Sequence, residues 1–157
     1  MAAALKLGFT PFTHRRGVLI LFCAENFKFG PATRRIAAQL GDTLRRAAAA
    51  ERFTGKTGSS LDVIAPSGID VPRVVVISTG KQTAPTSRDL IKLGGIAMGK
   101  VPKTAPAATI VAELGSGALK PDQVANLALG ARLRAYSFDR YKTKRKEDDE
   151  QKPKTID

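Results

Sequence analysis

The sequence predicts an α/β fold with a mixed, mainly parallel sheet and helices on both faces. Three observations lead there. Val18–Cys23 and Arg73–Ser78 hold continuous β-favouring apolar runs, as strands buried on both faces require. Segments of helical periodicity separate the strands, and the resulting order is β-β-α-β-β-α-β-α, the alternation that places helices over a largely parallel sheet. At 157 residues, 43% hydrophobic and 25% charged, the chain has the composition and size of one ordinary globular core.

In chain order, Leu5–Thr10 alternates, with Leu5, Leu7 and Phe9 on one side, and reads as a half-buried peripheral strand. Pro11 and the polar run Thr13–Arg16 make the turn into Val18–Cys23. Gly30-Pro31 opens a helix, with proline suited to the first helical position. Ile36, Leu40, Leu44 and Ala47 form its apolar face, Gly41 is expected to bend or split it, and the alanine run carries it to about Arg52. A glycine- and hydroxyl-rich loop, 53–60, leads to strands Leu61–Ala65 and Arg73–Ser78, separated by a turn around Pro66–Asp70.

Thr86 and Asp89 have capping-box spacing, with an acid in the place of the commoner Glu or Gln. The helix after them puts Leu90, Leu93, Gly94, Ala97, Met98 and Val101 on one stripe. Its Gly94-Gly95 pair costs helix stability and is expected where backbone comes close to the sheet. Ala107–Leu114 reads as a strand, Gly115–Lys120 as a turn, and Pro121 as the start of a last helix with Val124, Leu127, Ala128, Ala131 and Ala135 inward. The residues after Lys146 are charged and read as structureless.

The formal charge is +12, and the excess is spread along the chain: residues 1–133 carry 18 Lys and Arg against 8 Asp and Glu, residues 134–157 carry 8 against 6. A dedicated nucleic-acid arm would concentrate its cations, so general basicity describes the chain better, with a polyanion (DNA)-binding module as the alternative. The one cysteine, Cys23, excludes an intrachain disulfide and fits a reducing cytoplasm. Inside Val18–Cys23 it reads as a buried, inert thiol. No apolar stretch is long enough to span a membrane, and no membrane partner is expected. Arg15-Arg16 followed by the apolar run mimics a secretory signal but lacks a small-residue cleavage site and reads as a core strand.

The motifs offer little chemistry. Gly55-Lys56-Thr57 resembles the end of a phosphate-binding loop, but position 50 is alanine, and the run follows a helix and precedes a strand. With one His (His14) and one Cys, metal chemistry has no ligand set, and Glu147–Glu150 reads as solvated. His14 has no carboxylate near it in sequence, so no general acid–base pair and no nucleophile–base pair can be assembled. Catalytic, cofactor-binding and metal-binding residues are therefore expected to be none. Tyr136, Phe138 and Tyr141 beside Lys142–Lys146 could stack on single-stranded nucleic acid. They could equally pack a connecting segment onto a neighbouring surface.

Leu129–Lys144 resembles the end of the N-terminal domain of leucyl (cytosol) aminopeptidases, where an Arg-x-Tyr-x-Phe-Asp-x-Tyr-Lys-Thr-Lys pattern closes a non-catalytic domain. Ala49–Lys56, Leu61–Pro66 and Leu93-Gly94-Gly95 agree in order, so the resemblance covers nearly the whole chain. It implies an α/β domain similar to macro domains over residues 1–135, with 136–157 starting the linker to a C-terminal catalytic domain. It further implies a hexameric, cytoplasmic parent enzyme whose two divalent metals, Mn or Zn, sit in that second domain and activate water for peptide hydrolysis. The family's Asn-Thr-Asp-Ala-Glu-Gly-Arg motif has no counterpart in residues 1–157, so the resemblance carries no catalytic residue onto this chain. Residues 1–157 alone are expected to be inactive, with a structural and assembly role. Some bacterial relatives also act on DNA as accessory proteins, which is the resemblance's version of the polyanion alternative.

Overall fold

A computed structural model describes residues 5–11, 15–81, 83–136 and 155–157. The strands are β1 (Lys6–Leu7), β2 (Val18–Cys23), β3 (Ser60–Ile64), β4 (Arg73–Ser78), β5 (Ala107–Ile110), β6 (Glu113–Leu114), β7 (Gly117–Ala118) and β8 (Thr155–Ile156). The helices are α1 (Pro31–Gln39), α2 (Asp42–Ala50), α3 (Ser87–Gly99) and α4 (Pro121–Ala135). Six strands form one sheet in the order β1-β8-β5-β2-β4-β3, and only the β3–β4 pair is antiparallel. The α/β class and the mainly parallel sheet are as the sequence predicts.

The alternation along β2 divides the core. Leu19, Leu21 and Cys23 pack with Val74 and Val76 under α1 and α2, while Val18, Ile20 and Phe22 pack with Val75 and Ile77 under α3 and α4. All six residues of β2 are buried, so this central strand needs apolar side chains on both faces. Gly41 splits the first helical segment: its φ of 55° lies in the left-handed region, where a side chain would be strained. The chain thus ends α1 and starts α2 at an angle that keeps Ile36, Leu40 and Leu44 buried together.

Four expectations need revision. Ala107–Leu114 is two strands, because the chain leaves the main sheet after Ile110 and pairs Glu113-Leu114 with Gly117-Ala118 in a small hairpin. Thr155–Ile156, in the stretch read as structureless, forms β8 between β1 and β5, with Ile156 buried. Phe9 does not share the half-buried side of Leu5 and Leu7; β1 stops at Leu7 and the Phe9 ring is 75% exposed.

The backbone that approaches Gly94 belongs to α4 rather than to the sheet. A Cβ at Gly94 would overlap the Leu127 carbonyl oxygen, and one at Gly130 would overlap that of Ile91. Glycines on both helices let α3 and α4 lie almost backbone to backbone. This arrangement orients the opposite face of α4 outward, where Leu129 and Leu133 are exposed at i and i+4, and the extended Tyr136 just after the helix is exposed as well.

Candidate functional site: the crevices at the carboxyl ends of the strands

In open α/β sheets, ligands bind beyond the carboxyl ends of the strands, where successive connections leave to opposite faces. Here β2 passes to α1 on one face and β5 passes to α4 on the other, so the switch point lies between these neighbouring strands. Two cavities open along this edge. One, of about 400 Å³, has walls from Leu7, Ile110, Val111, Val124, Leu127 and Ile156 and includes Glu113 and Ala32. The other, of about 490 Å³, lies beside the ends of β2 and β4 and is lined by Thr57, Ser78, Thr79, Lys81, Lys92 and Ser116, among others.

Two carboxylates, Glu113 and Asp157, line the first cavity, and Glu113 has only 5% of its surface exposed. Its Oε1 accepts from the Ala32 N–H at 3.1 Å and its Oε2 from the Thr33 N–H at 2.6 Å. A carboxylate at a helix N-terminus is held by these donors and by the helix dipole, which offsets the desolvation of its charge. The run Ala107–Leu114 places Glu113 inside a strand and gives it no partner. The signal was there: an acid within Val111-Ala112-Glu113-Leu114, since a buried glutamate is rare unless something pairs with it.

In the second cavity, the Ser78 hydroxyl is committed. It donates to the Gly55 carbonyl at 2.6 Å and accepts from the Gly80 N–H at 3.1 Å. Gly58 N–H bonds the Ser78 carbonyl at 2.8 Å. The Gly55-Lys56-Thr57 run is therefore laced to the end of β4 as a loop, with no helix N-terminus behind it to receive phosphate. The Glu25–Phe27 turn beside it is pinned by Glu25 N–H to the Gly80 carbonyl at 2.9 Å and by Phe27 packed between Phe29 and Phe53, at centroid distances of 5.9 and 5.0 Å. These contacts hold Asn26 and Phe27 at positive φ.

Cys23 lies at the end of β2 with no exposed surface. Burial pushes its thiol up to about 11, against a smaller opposing effect of the Ser78 side chain. At the start of α3, the Asp89 carboxylate accepts from the Thr86 N–H at 2.9 Å and the Thr86 hydroxyl at 2.8 Å, while Asp89 N–H bonds Thr86 Oγ1 at 3.2 Å. The Thr86 backbone N–H, then its hydroxyl, hold the Asp89 carboxyl below its usual value. The expected capping box is complete.

Among the described residues, no group of three or more His, Cys, Asp and Glu could hold a metal ion. Cys23 is sealed in the core and Glu113 is engaged with backbone, so these residues do not fit the two-metal centre that the resemblance implies. His14, Phe138, Tyr141, Lys142–Lys146 and Glu147–Glu150 lie outside the described residues. No helix among the described residues is long and apolar enough to cross a membrane.

The profile of the cytosol aminopeptidase family, N-terminal domain, matches residues 20–145. A probable cytosol aminopeptidase of Afipia carboxidovorans is 53% identical over 150 residues, covering 95% of this chain and 30% of the relative. One of Rhodopseudomonas palustris is 49% identical over 146 residues, covering 92% of this chain and 29% of the relative. This chain thus spans about 30% of the length of the curated relatives it matches. A tomato leucine aminopeptidase variant superimposes with a TM-score of 0.71 at 17% identity, covering 99% of this chain and 33% of that one. The bottromycin maturation enzyme BotP gives 0.60 at 15% identity, covering 90% and 27%; at such identities the likeness is one of fold. The chain belongs to the cytosol aminopeptidase family and corresponds to its N-terminal domain.

Proposed function

We propose that residues 1–157 are the non-catalytic part of a metal-dependent leucyl aminopeptidase that releases N-terminal amino acids from peptides. The observation that carries this reading is the family match over residues 20–145 together with relatives three times as long. Residues 1–135, with Thr155–Ile156 adding a strand to their sheet, form the domain, and the connection to a catalytic domain starts within 136–157. Two divalent metals, Mn or Zn, belong to that domain, where they supply Lewis-acid activation of water and of the scissile carbonyl. Residues 1–157 contribute no ligand and no catalytic group.

The role of this domain is structural. It supplies assembly contacts in a cytoplasmic hexamer and shapes access to an active site built elsewhere. Leu129 and Leu133 on α4, with Tyr136 directly after it, form an exposed group that supports a contact role. The reading frame after Asp157 tests the proposal at its root. It should continue into a two-metal peptidase domain; a stop codon there in the gene would contradict it.

A further inference from the structure

The first turn of α1 has few N–H groups to offer a ligand. Pro31 has none, and the Arg34 N–H is spent on the Gly30 carbonyl at 2.9 Å. That leaves Ala32 and Thr33, and both donate to Glu113, one to each carboxylate oxygen. The carboxylate sits at the switch point between β2 and β5, where an α/β fold receives anionic ligands on a helix N-terminus.

The surroundings are built for this contact. A Cβ at Gly30 would collide with the Glu113 side chain and the Leu114 carbonyl oxygen, so only glycine lets the carboxylate approach the helix. Glu113 is held from its own side as well: its residue pairs with Ala118 in the β6–β7 hairpin, and Leu119 N–H bonds the Ala112 carbonyl at 3.0 Å. The charge is nine-tenths buried and has both its oxygens engaged.

We infer that Glu113 is an internal ligand: its carboxylate occupies the anion position of this crevice, and phosphate-bearing ligands are excluded from it. A phosphate would need the same two N–H groups and would meet a buried negative charge where its oxygens belong. The cavity of about 400 Å³ beside it has mostly apolar walls, and both acids in its lining, Glu113 and Asp157, disfavour an anion there.

The test uses the 157-residue chain labelled with ¹⁵N and titrated with inorganic phosphate, against chloride at equal ionic strength. In the native chain the Ala32 and Thr33 amides should be protected from exchange and indifferent to phosphate. Glu113→Ala should lower their protection by about tenfold or more, as loss of a charge-assisted bond implies. It should also gain a saturable phosphate response at these two amides and a melting temperature that rises with phosphate. Glu113→Ser, which keeps a small oxygen acceptor, serves as the second variant and should respond in the same way. If either variant is unfolded, phosphate should restore its folding. A saturable response of the native chain at Ala32 and Thr33 overturns the inference. So does the absence of any phosphate effect on both variants.

Discussion

The Leu127 carbonyl oxygen of α4 occupies the space that a side chain at Gly94 of α3 would fill. The obstacle is backbone and cannot rotate away, so Gly94→Ala must push the helices apart. Overpacking of this kind costs about 1–3 kcal/mol, against about 1 kcal/mol that alanine gains over glycine within a helix. Gly94→Ala and Gly130→Ala should each lower the denaturation midpoint. Gly95→Ala should raise it, because a Cβ there meets its nearest neighbour at an ordinary 3.7 Å. Opposite signs at adjacent glycines, read by urea unfolding, check the packing directly.

Ser78→Ala should destabilise the chain by about 1–3 kcal/mol, since it strips the Gly55 carbonyl and the Gly80 N–H of a buried partner at once. Loop 53–59 should loosen with it. Faster amide exchange at Gly58, whose N–H bonds the Ser78 carbonyl, is the local readout.

The Cys23 thiol ionises at about 11 in the fold against 9.0 as its ordinary value. Between these pH values the unfolded chain gives up a proton that the native chain keeps. This contribution to stability is therefore intact below about pH 9 and is lost as pH rises toward 11, at up to about 1.4 kcal/mol per pH unit. Comparing the native chain with Cys23→Ala across this window isolates the effect: the difference in stability between them should narrow as pH rises. The thiol should also react with a disulfide reagent only after unfolding.

Leu129→Glu with Leu133→Glu should leave the isolated chain within about 0.5 kcal/mol of its original stability, because both side chains face water. In the full-length protein the pair should weaken assembly or lower the melting temperature. Sedimentation and thermal unfolding of both forms separate these outcomes.

The sheet core was legible because β2 carries apolar residues at every position and β4 at the four between Arg73 and Ser78, which leaves a buried strand as their natural place. The α3 start was legible because a capping box is a local pattern. What stayed hidden depends on contacts distant in sequence. Glu113 finds its partners at Ala32 and Thr33, some 80 residues earlier. The glycines of α3 answer to α4, which no periodicity within α3 reveals. β8 is only two residues long, and its pairing with β1 and β5 carries no local signature. The family was legible from the Arg134–Lys144 pattern, although residues 137–144 lie outside the described structure.

Hydrolysis of leucine p-nitroanilide in the presence of Mn²⁺, measured side by side for residues 1–157 and for the full-length protein, bears most directly on the proposed function. The full-length protein should release p-nitroaniline with turnover lost on chelation, and residues 1–157 should give only the background rate. Metal-dependent turnover by residues 1–157 alone, or none by the folded full-length protein, would contradict the account.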